Sequence, residues 1–90
     1  MSRRETIDQE WFFYIVRCKD DSLYSGITND LEGRLREHNR GTGAKNTCGR
    51  RPVTLVYSEK HVNISEARKR EVQIKGWSRH KKEQLINGLL

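Results

Sequence analysis

Five side chains stand out in this 90-residue chain by type and spacing: Tyr14, Tyr24, Arg34, His38 and Glu71. Glu71 follows Ala67 by four residues and precedes Ile74 by three, so a helix through this stretch puts it on the apolar stripe of Ile64, Ala67 and Ile74. A carboxylate on such a stripe is costly unless it is paired or binds a metal. The alternative is a glutamate at the stripe's edge that reaches water or a neighbouring lysine. Arg34 and His38 are four residues apart, hence neighbours on one helix face beside Leu31 and Leu35. An arginine can hold a phosphate oxygen with two donors, and a histidine can contact phosphate or carry a proton. A solvated basic face would have the same spacing. Tyr14 and Tyr24 fall on two adjacent strands, where aromatic pairs commonly do no more than pack. Their functional reading is a hydroxyl that acts as base or positions water. The phenol pKa, near ~10 in solution, would be lowered by a ring of cations.

Around these five lie many basic residues. Arg40, Lys45, Arg50 and Arg51 surround a Gly-rich stretch, and Arg68, Lys69, Arg70, Lys75, Arg79, Lys81 and Lys82 crowd the C-terminal third. Of these, Lys45, Arg50, Arg51, Lys75, Arg79 and Lys82 are the expected phosphate-backbone contacts. The Gly-Thr-Gly at 41–43 has neither the Walker nor the dinucleotide-binding spacing and is not read as a phosphate loop.

The elements that must position these groups are legible in outline. WFFYIVRC (11–18) is aromatic and β-branched and predicts a strand. Phe12, Tyr14 and Val16 share one of its faces, Phe13 and Ile15 the other; bulk on both faces predicts a central strand. KDDS (19–22) predicts a turn and LYSGIT (23–28) a second strand, making a hairpin. Asn29 with Glu32 three residues on predicts a capping box for a helix over about 30–40, stopped by Gly41, with Leu31 and Leu35 as its buried stripe. A Gly-rich basic loop fills 41–52, and residues 53–62 predict a third strand with Val53, Leu55 and Tyr57 alternating. Asn63 with Glu66 predicts a second capping box, for a helix over about 64–76. Ser78 predicts the cap of a last helix over about 79–87, packed down by Leu85, Ile86 and Leu89. The order ββαβαα implies an α+β domain with a three-stranded β-sheet flanked by helices.

Bulk properties agree. Ninety residues make one domain, with residues 1–10 (MSRRETIDQE) read as a flexible tail and 11–90 as the folded unit. Lys and Arg number 18 against 12 Asp and Glu, and the formal charge of +6 favours a polyanionic partner. Cys18 and Cys48 form neither a Cys-x-x-Cys pair nor a zinc spacing. With no leader-like segment and no long apolar run, the expectation is a cytoplasmic protein with reduced thiols and no membrane association.

Together these residues resemble the GIY-YIG nuclease superfamily. Tyr14 to Tyr24 is ten residues, Tyr24 to Arg34 ten more, and a glutamate follows on a distant helix. YSGITNDLEGRLREHN is similar to the family's second motif running into its first helix. GTGAKNTCGRRPVTLVYSE and SEARKREVQIKGWSRHKKEQLI are similar to its small stand-alone bacterial branch, the URI-type or YhbQ-like endonucleases. The chain departs from the pattern in lacking the first-motif glycine before Tyr14, in carrying Ser25 within the second motif, and in having Ile27 where several members have lysine.

The resemblance implies a metal-dependent endonuclease that hydrolyses DNA phosphodiester bonds. In it Tyr14 would be the general base or water activator, and Tyr24 would help place water and phosphate. Arg34 would neutralise phosphoryl charge, and His38 would stand near the scissile phosphate. Glu71 would be the single carboxylate for one Mg²⁺ or Mn²⁺. Branched or damaged DNA in repair or recombination is the implied substrate. Two alternatives share the scaffold: a non-catalytic nucleic-acid-binding module, and a nuclease subunit that needs a protein partner for targeting, since 90 residues leave no room for a targeting domain.

Overall fold

The aromatic and β-branched run near the start of the chain forms the central strand, β1 (Trp11–Arg17). The computed structural model, which describes residues 10–40 and 52–90, continues with β2 (Leu23–Thr28), α1 (Leu31–Arg40), β3 (Thr54–His61), α2 (Ile64–Lys75) and α3 (Arg79–Ile86). This is the expected α+β order. The sheet is antiparallel in the order β2-β1-β3, so β1 has a partner on each side.

Each face of β1 buries a separate cluster. Tyr14, Val16 and Cys18 pack with Val53, and Leu31 and Leu35 of α1 close over them. Phe13 and Ile15 pack with Ile74 of α2 and Leu85 of α3, with Trp77 and Ile86 at the margin. Truncating a wholly buried aromatic such as Phe13 to alanine costs about 3–5 kcal/mol, so this two-sided strand anchors the fold.

Three local expectations are corrected. The cap of α1 is Asp30, not Asn29: its Oδ1 accepts from the Gly33 amide at 3.1 Å, and its own amide donates to Thr28 Oγ1 at 3.0 Å. Gly33 suits that arrangement, since a Cβ there would lie 2.2 Å from the Asp30 carboxylate. Secondly, β3 does not alternate throughout. The register shifts between Ile15 and Val16, which pair with Tyr57 and Leu55. Val56 is the extra residue of a β-bulge. Val53 and Leu55 therefore join the Tyr14 cluster, whereas Val56 and Tyr57 both join the Phe13 cluster. Thirdly, Leu89 does not pack down α3; it is exposed.

The other two caps form as expected, with Asn63 accepting from the Glu66 amide and Ser78 from the Lys81 amide. Two polar networks tie the layers together. Arg17 binds Glu83 through both terminal nitrogens, and Arg79 joins Glu83 to Asp21, fastening α3 to the β1–β2 turn. Glu59 on β3 accepts from Tyr57 and Arg70, the latter on α2, and shares a hydrogen bond with His61. Cys18 is a free, buried thiol. The N-terminal tail and the Gly-rich loop with Cys48 lie outside the described residues, apart from Glu10 and Pro52. No described helix is long and apolar enough to cross a membrane.

Candidate active site

The site is built from the sheet outward. Tyr14 sits at the middle of β1 and pairs directly with Gly26 of β2. Side chains directly opposite on an antiparallel pair stand over the same face. Gly26 has none, so the Tyr14 ring lies across the backbone of that edge strand. A Cβ at Gly26 would come within 2.8 Å of the Tyr14 hydroxyl and 3.1 Å of its Cζ. The second-motif glycine is thus a steric requirement of the first-motif tyrosine.

One hydroxyl partner comes from α1. Leu31, Leu35 and His38 recur at helical spacing and form the stripe that meets the sheet, so His38 is fully buried. Its Nε2 lies 3.0 Å from the Tyr14 hydroxyl. In the tautomer that leaves Nε2 without a proton, Tyr14 donates to it. The Tyr24 ring meets the His38 ring edge-on at a centroid distance of 5.3 Å, and the Tyr14 ring does so at 6.0 Å. The space bounded by Tyr14, Leu31, Arg34, His38 and Leu55 admits no water.

Charge enters from two helices. On α1, Arg34 gives one terminal nitrogen to Glu37 at 3.0 Å. Its Nε is buried and donates to no atom among the described residues. From α2, Glu71 takes the place expected on the stripe with Ala67 and Ile74, 20% exposed, its Oε2 3.3 Å from the Lys75 ammonium. The structure therefore realises both alternatives for Glu71: it lies on the stripe and it has a lysine partner.

The electrostatics couple these groups. Burial pushes the Tyr14 phenol above its usual range; Arg34 pulls it back down, and Tyr24 and Glu71 push it up. Burial and then the Arg34 charge hold His38 below its usual value, against a smaller upward pull from Glu37. A histidine in that state is neutral at pH 7. The Glu37 hydrogen bond, with Tyr14 adding to it, raises Arg34, which stays cationic. Of the five predicted residues, His38 shares a hydrogen bond with the Tyr14 hydroxyl, Tyr24 meets the His38 ring, Arg34 acts on the phenol through its side chain and its charge, and Glu71 acts on it most weakly, through charge alone.

Residues 10–84 match the family model of the GIY-YIG catalytic domain. The chain belongs to the GIY-YIG family. That family is a nuclease superfamily, and the match gives this domain a nuclease-like function. A UPF0213 protein of Staphylococcus aureus (strain Mu50) is 55% identical over 75 residues, covering 83% of this chain and 92% of the relative. The solution NMR structure of a protein from E. faecalis is similar with a TM-score of 0.62 at 44% identity, covering 88% of this chain and 84% of that one. That of a UPF0213 protein from Bacillus halodurans gives 0.57 at 42% identity, covering 87% and 83%. These likenesses join the chain to small stand-alone GIY-YIG proteins.

The expected phosphate contacts fare differently. Lys75 is engaged with Glu71, and Arg79 with Glu83 at 2.8 Å and Asp21 at 3.3 Å. Lys82 is partly buried on α3, and Lys45, Arg50 and Arg51 lie outside the described residues. Two supporting residues went unnoticed in the sequence. Glu37, three residues after Arg34, was within reach of the helix-neighbour rule. Asn39 clamps the start of β3, accepting from the Val53 amide at 2.7 Å and donating to its carbonyl at 3.3 Å. No local pattern announces a contact between such distant segments.

Proposed function

We propose that this GIY-YIG protein is a metal-dependent endonuclease that hydrolyses phosphodiester bonds of DNA, with branched or damaged structures in repair or recombination as its substrates. The observation that carries the reading is the Arg34 guanidinium, whose buried Nε has no hydrogen-bond acceptor among the described residues. A buried guanidinium N–H without an acceptor costs about 1–3 kcal/mol, and here the same guanidinium acts on the buried Tyr14 phenol. A phosphate oxygen satisfies it with charge assistance.

Each residue then has a task. Arg34, whose side chain is 39% exposed, binds a non-bridging phosphate oxygen through its guanidinium while Glu37 keeps its far side oriented. The neutral His38 ring holds the Tyr14 hydroxyl at a fixed point and can accept its proton. Tyr14 activates the attacking water, and Tyr24 fixes the His38 ring by edge contact. The donor chemistry at Glu71 fits a hard divalent cation. Among the described residues no group of three or more His, Cys, Asp and Glu comes together, so a single carboxylate would anchor the ion and water would complete its shell. Mg²⁺ accepts that arrangement because it gives up its waters reluctantly. Bound at Glu71, Mg²⁺ or Mn²⁺ would supply positive charge for the leaving oxygen.

The test is nicking of supercoiled plasmid and of branched DNA with Mg²⁺ or Mn²⁺, comparing the wild type with Glu71→Ala and Tyr14→Phe. Both variants are expected to lose at least about 100-fold in rate. Cleavage that survives both changes would sink the mechanism. Binding without cleavage by the wild type would favour a nucleic-acid-binding module of the same fold.

A further inference from the structure

The ion pair at the end of α2 stands apart from the other pairs because its acidic member is the carboxylate expected to hold the metal. Lys75 Nζ lies 3.3 Å from Glu71 Oε2. Glu71 is 20% exposed, whereas Lys75 is 57% exposed and occupies the last turn of α2. The carboxylate is the more buried member of the pair, and the more exposed ammonium rides on a flexible four-carbon stem.

We infer that Lys75 is the exchangeable counter-ion of Glu71: it neutralises the carboxylate in the metal-free protein, is displaced by a divalent cation, and is released to a DNA phosphate beside the site. The inference rests on the proposed nuclease reading. A divalent ion held by the Glu71 carboxylate would take up the charge that the ammonium now answers. Two cations a few ångströms apart repel each other strongly in a partly desolvated site. Lys75 must therefore leave, and phosphate is the nearest replacement acceptor on a bound nucleic acid. The exchange makes metal and DNA mutually reinforcing. Metal frees a phosphate-binding cation, and phosphate draws away the competitor of the metal, by reciprocal linkage.

The experiment measures Mn²⁺ affinity by electron paramagnetic resonance in the wild type, Lys75→Met, Arg68→Met and Glu71→Gln, together with the side-chain NMR signals of Lys75 during Mg²⁺ titration. Arg68 is an exposed cation three residues before Glu71 on the same helix and has no contact with it among the ion pairs of the described residues. It controls for general charge. Lys75→Met is expected to bind Mn²⁺ about 2- to 5-fold more tightly than wild type, as the loss of one half-exposed ion pair implies. Arg68→Met, which removes a charge near Glu71 but no ion pair to it, is expected to change affinity by clearly less than Lys75→Met. The Lys75 signals should shift on Mg²⁺ saturation in the wild type and not in Glu71→Gln. Equal effects of Lys75→Met and Arg68→Met, or Lys75 signals that ignore Mg²⁺, would overturn the exchange while leaving the nuclease reading intact. Mn²⁺ affinity that is the same in Glu71→Gln as in the wild type would overturn both.

Discussion

Gly26→Ala isolates the contact on which the site's geometry rests. The added methyl would stand 2.8 Å from the Tyr14 hydroxyl and 3.1 Å from Cζ. Tyr14 would have to retreat by about 0.6 Å or more to restore ordinary contact. It has little freedom to do so. The side chain is 2% exposed, its hydroxyl is hydrogen-bonded to His38 at 3.0 Å, and the space around it admits no water. Forcing one extra methyl into a packed region costs about 1–3 kcal/mol. Alanine regains about 0.5–1 kcal/mol over glycine in a strand interior. The net expectation is a loss of about 1–2 kcal/mol, which in a domain of this size lowers Tm by about 4–16 °C.

The clash makes a sharper demand. Tyr14→Phe removes the hydroxyl, the nearest atom, and leaves only the 3.1 Å and 3.4 Å ring contacts. Gly26→Ala should therefore cost less in the Tyr14→Phe background, with a coupling of about 1 kcal/mol. Urea denaturation of the wild type, both single variants and the double variant, followed by circular dichroism, measures it. Costs that agree in the two backgrounds to within about 0.3–0.5 kcal/mol, or a Gly26→Ala protein as stable as the wild type, would refute the reasoning.

Four further outcomes follow from the same geometry. Asp30→Ala should cost about 1 kcal/mol and Asn29→Ala under about 0.5 in urea denaturation, because only Asp30 caps α1; the reverse order would restore the cap expected from sequence. Arg17 and then Arg79 hold the Glu83 carboxyl at about 2 against an ordinary 4.5. A depressed acid stabilises the fold above its unfolded value and ceases to do so as pH falls through the folded one. Thermal stability should therefore drop steeply from about pH 5 to about pH 2, and the drop should be shallower in Glu83→Gln. His38 should titrate below its ordinary 6.5 in an NMR pH series, since the folded protein resists a proton that the unfolded chain accepts. Its contribution to stability accordingly declines as pH falls below that value, and a midpoint at or above 6.5 would contradict the buried neutral ring. Burial raises the Tyr14 phenol above 10, so if the ionised form reacts, cleavage should rise about tenfold per pH unit from pH 7 to 9; a flat profile would remove Tyr14 as base.

Much of this architecture was legible because its signals are local. A run of bulky residues on alternate faces marked β1 as central, and helical spacing found the stripe of α2, including Glu71. The same spacing carries Leu31 and Leu35 on to His38, so the burial of that ring followed from a rule already applied. The failures have a different origin. Asn29 and Asp30 are both good caps, and Thr28 and Gly33 on either side decide between them. The bulge at Val56 depends on how β3 meets β1, and strand pairing leaves no mark in strand composition. The partners of the basic residues were the least legible. Arg79 has the same side chain as a phosphate contact, yet Glu83 and Asp21 engage it, and only the fold brings Asp21 within reach.

The groups around Tyr14 oppose one another, and the balance says what the resting site is. Burial raises the phenol most, Arg34 pulls it back down, and Tyr24 and then Glu71 add smaller upward pushes. In the absence of ligands, Lys75 answers part of the Glu71 charge and Glu37 part of the Arg34 charge. Each charged member of the site thus carries a local partner on its own helix, one turn away, and both partners are more exposed than a core residue. A phosphate at Arg34 and a cation at Glu71 would change both charges at once, in opposite senses at the Tyr14 hydroxyl. Phosphate weakens the pull of Arg34 toward ionisation, whereas neutralising Glu71 removes a push against it. The phenol can ionise more readily in the loaded site only if the cation outweighs the phosphate, for which a divalent ion is better suited than a single ammonium. On the proposed nuclease reading, a lone lysine at Glu71 would leave the site assembled and unreactive, and the charge of an incoming cation would separate that state from a reactive one.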